Sequence, residues 1–177
     1  MANKEALREL QSRLAERLQA ARTQSQGQSW LAVECGGMGL LLPLREAGEI
    51  FALAPIVPVP HSHPWFLGVA NLRGYLHGVV DLAGFLGVRS QASSRDQAGR
   101  DPSRLVGFNP EYGVNCALRV DRLAGLRSED ELAPQTAEGG PRPAFVGMRM
   151  RDGAGRLWQE LLMSALARDE TFLRIVG

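Results

Sequence analysis

The sequence predicts a mainly β protein built from two small packed barrels, with helical segments at both ends. Apolar and polar residues alternate with a period of two over many short segments after residue 30. The 20 glycines and 10 prolines interrupt these segments at short intervals, which is typical of barrels and sandwiches. A polar stretch at about 89–104 then predicts a first lobe at about 29–88 and a second lobe at about 105–163.

Composition narrows the class of protein. A chain of 177 residues that is 45% hydrophobic can bury a real core. Its net charge of +1 argues against a nucleic-acid binder, which usually carries a basic face. The two cysteines lie in apolar runs, and the first twenty residues are charged rather than signal-like. We therefore expect a cytoplasmic protein with free thiols and no membrane insertion.

Residues 1–28 are expected to form an N-terminal helix followed by a polar linker. From Asn3 to about Thr23, leucines recur at helical spacings of three and four, at Leu7, Leu10, Leu14 and Leu18. This helix either packs on its own domain, the interpretation we favour, or docks on a partner.

Strand patterns occupy both halves of the rest of the chain. In the first half they are Trp30–Cys35, Met38–Leu44, Phe66–Leu72 and Tyr75–Leu82, with less certain extended or turn structure at Arg45–Phe51 and an extended Val57–Pro60. In the second half they are Leu105–Asn109, Val114–Asp121, Phe145–Arg151 and Arg156–Leu162, with a loop at Leu132–Pro143 and helical material at about Ser164–Ile175. Gly36-Gly37 is expected to form a hairpin turn.

Catalytic chemistry is not expected. His61 and His63 flank a serine in a proline-rich loop, but a zinc site needs three or four ligands. His77 is interpreted as a surface residue, and no serine lies in a G-x-S-x-G elbow. The sequence therefore predicts a protein that is not an enzyme and holds no metal or cofactor.

The most informative segment is Gly68–Gly74, followed by Gly78–Leu82. It predicts a hairpin with apolar strands and a polar tip, in which Gly74 allows the chain to reverse and Asn71 ties the turn. Arg73 is then displayed at the tip with a free guanidinium. From the residues alone, Arg73 is either an ordinary exposed turn residue or an anchor for a partner.

The amino-acid sequence of this hairpin, G-V-A-N-L-R-G and then V-V-D-L, resembles the signature of CheW-like domains. The segments Leu42–Ile50, Ile56–Gly68, Leu105–Phe108 and Val114–Leu126 support the resemblance, which extends over about residues 30–163. The resemblance implies a CheW-like domain at 29–177 made of two five-stranded SH3-like barrels. It also implies a scaffold that binds the regulatory domain of a CheA-type histidine kinase and the cytoplasmic tip of methyl-accepting receptors.

The resemblance also suggests roles for particular residues. The partner-binding residues would be Arg73, Asn71, Leu72, Gly74, Glu49 and Ile50, while Gly68 and Asp81 would support the hairpin. The N-terminal helix and the Asp169–Leu173 tail look most like adaptors of type IV pilus chemosensory systems, which associate with receptor arrays at the inner membrane. A flagellar chemotaxis adaptor is the alternative within the family, and a nucleic-acid-binding barrel or an unfamiliar enzyme would be an alternative outside it.

Overall fold

The computed structural model describes residues 27–88, 101–136 and 139–177. The expected N-terminal helix and most of the polar stretch at 89–104 lie outside these residues.

Within the described residues, eleven strands and three short α-helices follow one another along the chain. The strands β1 to β11 are Ser29–Cys35, Met38–Pro43, Ala47–Phe51, Phe66–Leu72, Tyr75–Asp81, Arg104–Phe108, Cys116–Val120, Arg122–Ser128, Leu132–Gln135, Val146–Asp152 and Leu157–Leu161. The helices α1 to α3 are Leu82–Phe85, Met163–Leu166 and Glu170–Leu173, and 3-10 turns occur at Pro110–Tyr112 and Glu129–Glu131.

The strands form two mixed sheets. One has the order β8-β1-β2-β11-β10-β9, and the other has the order β3-β6-β7-β5-β4. The expected mainly β fold is confirmed, although one sheet has six strands rather than five. Each sheet also combines strands from both sides of the 89–104 stretch, so the sheets do not follow the lobes expected at 29–88 and 105–163. Sequence periodicity marks where strands lie, but it does not say which strands pair.

Three apolar clusters explain why both faces of the central strands are hydrophobic. On β1, Trp30 and Ala32 point into the six-stranded barrel, while Leu31 and Val33 point towards the other barrel. On β5, Val79 lies inside the five-stranded barrel and Val80 lies between the barrels. Because successive strand residues face opposite ways, strands buried on both faces lose the simple polar alternation. Each barrel thus has its own interior, and a third core joins the two.

Two strands differ from the sequence-based interpretation. The chain bends at Asp121, whose backbone N–H donates to Glu34 O at 2.9 Å and whose carboxylate accepts from the Gly36 N–H at 2.7 Å. This bend ends β7 close to where the predicted strand Val114–Asp121 ends, and β8, which follows the bend, was not predicted as a strand. Strand β9 lies within the expected loop Leu132–Pro143. Pro134 makes this segment look like a loop in the sequence, because proline lacks an N–H and within sheets is confined to edge strands, where β9 lies.

Polar and aromatic contacts fix the C-terminal segment to the barrels. The buried Glu46 carboxylate accepts hydrogen bonds from the Ser164 N–H and hydroxyl, both at 3.0 Å, at the start of α2. Phe172 on α3 packs against Trp65, Phe85 and Phe108, with ring centroids 5.3–6.4 Å away. The chain end adds a bridge between Ser62 and Val176. These contacts hold the two barrels as one packed unit.

Candidate partner-binding surface

The turn between β4 and β5 forms as the sequence predicts. Arg73 and Gly74 both adopt positive φ angles, of 51° and 88°, as a two-residue turn compatible with strand twist requires. The Gly74 N–H donates to Asn71 Oδ1 at 2.8 Å, so the asparagine side chain ties the turn. Glycine tolerates this backbone freely, whereas arginine pays about 1–2 kcal/mol for the left-handed conformation.

The structure brings together two of the residues expected to bind partners. Arg73 Nη1 lies 2.6 Å from Glu49 Oε1, with the two side chains 75% and 42% exposed. Glu49 lies on β3 and Arg73 follows β4, the strands at opposite edges of the five-stranded sheet. The ion pair therefore spans the two edges of that barrel, although an exposed pair contributes only about 0–1 kcal/mol to stability.

The side chains of Ile50 and Leu72 have different environments. Ile50 is exposed beside Glu49 on β3 and is available to a partner. Leu72 is only 3% exposed and packs inside the five-stranded barrel with Ala70 and Val79. The expectation that the Leu72 side chain binds a partner is corrected here, because inward-facing strand residues cannot reach a partner surface.

Two exposed apolar residues next to the turn were missed from the sequence. Tyr75 and Leu76 open β5 and are 72% and 65% exposed. The available signal is two adjacent apolar residues at the start of a strand, a pattern that does not distinguish exposed from buried positions. We call Glu49, Ile50, Arg73, Tyr75 and Leu76 the tip surface. Exposed aromatic and arginine side chains are enriched among residues that anchor interfaces.

Gly68 and Asp81 lie inside the fold, away from the tip. Gly68 has a φ of 132°, and a Cβ there would lie 2.1 Å from the Val57 carbonyl oxygen. Asp81 is buried at the end of β5, its N–H donating to Trp65 O at 2.8 Å. Both positions are therefore compatible with support of the hairpin.

A second exposed apolar region lies along β4. Val57 and Val69 exchange backbone hydrogen bonds of 2.8 and 2.9 Å, which places the segment 52–60 against the outer edge of β4. Leu53, Val57 and Val59 are exposed there, interspersed with exposed prolines. We call Leu53, Val57, Pro58, Val59 and Pro60 the proline surface. Clustered exposed apolar side chains are typical of interaction sites.

Two of the three histidines, His63 and His77, and both cysteines have packing contacts, whereas His61 is exposed. His63 stacks on Trp65 at 5.2 Å, and His77 is partly exposed, with its ring 5.8 Å from that of Phe51. Burial raises the pKa of both Cys35 and Cys116 to about 12, so neither is an activated thiolate. Across residues 27–88, 101–136 and 139–177, no three His, Cys, Asp or Glu side chains are grouped to hold a metal ion.

No helix in the described part of the chain has the length and apolar character to cross a bilayer.

Two packed barrels that display apolar and arginine-bearing surfaces define an interaction domain. The chain belongs to the CheW-like domain family, whose model matches residues 29–171. It is 37% identical over 169 residues to Protein PilI of Pseudomonas aeruginosa, covering 92% of this chain and 88% of the relative.

Two further comparisons agree with this assignment. The chain is 31% identical over 64 residues to the chemotaxis protein CheW of Rhizobium meliloti, covering 36% of this chain and 41% of the relative. The crystal structure of the scaffolding protein TtCheW from Thermoanaerobacter tengcongensis superposes with a TM-score of 0.62 at 18% identity. That superposition covers 77% of this chain and 89% of the other, and it supports the fold.

Proposed function

We propose that the chain is a non-catalytic cytoplasmic adaptor that couples a methyl-accepting chemoreceptor to a CheA-type histidine kinase. Membership of the CheW-like family supports this role. We further propose that it acts in type IV pilus signalling at receptor arrays, without cofactor, nucleic acid or membrane insertion. The likeness to Protein PilI supports the pilus pathway, whereas the shorter match to the chemotaxis protein CheW supports the flagellar alternative.

The proposal rests mainly on the conformation and exposure of Arg73, which has a positive φ and a largely exposed side chain. Asparagine suits the first position of this turn better than arginine does, so the arginine is retained at a cost in backbone energy. A residue held in a sparsely populated conformation is a candidate for function. Its guanidinium is largely exposed and paired with Glu49, beside the exposed Tyr75 and Leu76.

We assign the tip surface to the receptor and the proline surface to the kinase. A receptor tip is a helical hairpin, and Ile50, Tyr75 and Leu76 offer it an apolar centre while Arg73 and Glu49 offer a polar rim. The proline surface offers the kinase regulatory domain an apolar edge that lacks the N–H donors of Pro58 and Pro60, which disfavours indiscriminate strand pairing. The two surfaces belong to one barrel and are held rigid by the shared core. Receptor state can therefore bias kinase state through a single body.

The first test is a pull-down from lysate of the native bacterium with the purified chain as bait. Recovery of a CheA-type kinase and a methyl-accepting receptor is expected, and the identity of the receptor separates the pilus pathway from the flagellar one. Recovery of neither partner by a folded bait would contradict the adaptor role.

Point variants then test the two surfaces against purified receptor and kinase fragments. Arg73→Glu should weaken receptor binding about tenfold or more, and Arg73→Asn should do the same while preserving the turn. Val57→Glu should weaken kinase binding and leave receptor binding unchanged. Arg168→Glu, at an exposed site on the C-terminal segment, is the matched charge-reversal control. Wild-type receptor binding by folded Arg73→Glu would refute the assignment of the tip surface.

A further inference from the structure

A groove on the six-stranded barrel lies apart from both proposed surfaces. Strands β2 and β11 pair in parallel only at Leu40 with Gln159 and at Leu41 with Glu160. The preceding residues of the two strands line a groove of about 430 Å³, and we call it the arginine groove. Its lining is Gly37, Met38, Gly39, Arg149, Arg156, Leu157, Trp158 and Gln159.

The floor of the arginine groove is rigid. A Cβ at Gly39 would lie 2.7 Å from Trp158 Cε3, so the glycine lets the backbone lie directly on the indole. The indole N–H donates to Asp152 Oδ2 at 2.9 Å, and the Arg156 guanidinium lies 4.5 Å from the ring centroid. Since cation–π contact and hydrogen bond both fix the ring, this floor needs little ordering when a partner binds.

The carboxylates near the groove already have partners. Glu34 accepts from Arg156 at 2.6 Å and lies 2.8 Å from Arg122. Asp152 accepts from Trp158 and from the N–H groups of Ala154 and Arg156, which hold its pKa below the ordinary value. Both groups are therefore engaged in the free protein.

Arg149 supplies an uncompensated positive charge at the groove. It is exposed, and among the described residues no carboxylate lies within ion-pair distance of its guanidinium. Met38 and Leu157 add exposed apolar surface to the same lining. An unpaired guanidinium beside apolar side chains is complementary to a partner segment in which a carboxylate lies next to an apolar side chain.

We propose that the arginine groove docks an acidic, amphipathic segment of a partner protein. An aliphatic side chain of that segment would contact Met38 and Leu157, and an adjacent carboxylate would pair with Arg149. Met38 can adjust to different aliphatic shapes because methionine is unbranched and flexible. The groove belongs to the six-stranded barrel, whereas the tip and proline surfaces belong to the five-stranded barrel. The inference therefore stands apart from the adaptor proposal.

The indole N–H of Trp158, whose side chain is only 1% exposed and lies beneath the groove, reports on binding by NMR. The probe is a short synthetic helical peptide built from leucine and glutamate, titrated into the ¹⁵N-labelled full chain. The Trp158 indole signal should shift saturably, while the signal of Trp65, which packs with Phe85 and Phe172 against a different apolar cluster, should not. Peptides with lysine for glutamate, or serine for leucine, should produce no saturable shift.

Arg149→Glu and Arg151→Glu form a matched pair of variants. Both residues are exposed on β10, but the Arg151 side chain is bound to Gln135 and to the Gly155 carbonyl. Arg149→Glu should weaken peptide binding about tenfold, as loss of a charge-assisted contact does, and Arg151→Glu should change it less than about threefold. Equal losses in both variants, an unmoved Trp158 signal, or equal binding of the lysine peptide would overturn the proposal. A Trp158 shift that follows protein concentration without peptide would also overturn it, because a second copy would then be the occupant.

Discussion

Replacing Gly68 by alanine is expected to cost far more stability than replacing Gly74 or Gly153, where a Cβ would meet open space. At a φ of 132°, a residue with a Cβ is strained by about 1–3 kcal/mol. The new Cβ would also lie 2.1 Å from the Val57 carbonyl oxygen, which cannot rotate away as a side chain could. The segment 52–60 must then retreat and weaken two backbone hydrogen bonds to Val69, each worth about 0.5–1.5 kcal/mol.

Together these effects should lower the free energy of unfolding by about 2–6 kcal/mol. This is a large share of the total, which is about 5–15 kcal/mol for a typical protein. For a chain of this length it corresponds to a fall in Tm of roughly 5–20 °C. Urea unfolding followed by tryptophan fluorescence, together with calorimetry, measures both quantities.

Two further glycines separate backbone strain from steric overlap. Gly74 has a φ of 88° but open space around its Cβ position, so Gly74→Ala should cost only about 1–2 kcal/mol. Gly153 has open space and no positive φ, so Gly153→Ala should change stability by less than about 0.5 kcal/mol. If Gly68→Ala unfolds at the same urea concentration as Gly74→Ala, the reasoning from close backbone approach is wrong.

Three other predictions concern Glu46, Glu34 and the two cysteines. Glu46→Ala should lower the free energy of unfolding by about 2–4 kcal/mol, because two hydrogen bonds to Ser164 and a buried side chain are lost; a urea midpoint unchanged from wild type would contradict this. Burial acts to raise the pKa of Glu34, but Arg156 and Arg122 outweigh it and hold the pKa below its ordinary value of 4.5. The stability difference between wild type and Glu34→Gln should thus be full above pH ~5 and decline as pH falls through the folded-state pKa, and a pH-independent difference would refute it. Because burial raises both cysteine pKa values to about 12, Ellman's reagent at pH 8 should label neither native thiol and both after denaturation.

The sequence predicted individual strands better than it predicted their arrangement. Gly36-Gly37 and Arg73-Gly74 carry local turn chemistry, so their hairpins formed as expected. The pairing of β1 with β8, or of β2 with β11, depends on contacts between distant residues. Strand β9 was missed because Pro134 is a local signal for a loop. Its position at the sheet edge makes the proline acceptable, because an edge strand does not need every N–H for pairing.

The candidate surface was also predicted only in part, because the local sequence shows turns but not contacts between distant strands. The turn role of Asn71 follows from its own side chain and was readable locally. The contact between Arg73 and Glu49 joins residues of different strands and had no local signal. Leu72 was assigned to the surface because it belongs to the hairpin motif, but strand alternation turns its side chain into the barrel.

The interleaved sheets have a consequence for how the chain acquires its structure. Strands β1 and β2 leave the ribosome early, yet their outer neighbours β8 and β11 come from the far end of the sequence. Such a topology has a high contact order, which slows folding, and neither sheet can form until strands from both sides of the 89–104 stretch are present. Neither half can close a barrel alone. A chain cut within 89–100 should therefore behave as a split protein, whose two fragments are unfolded apart and regain the native fluorescence when mixed.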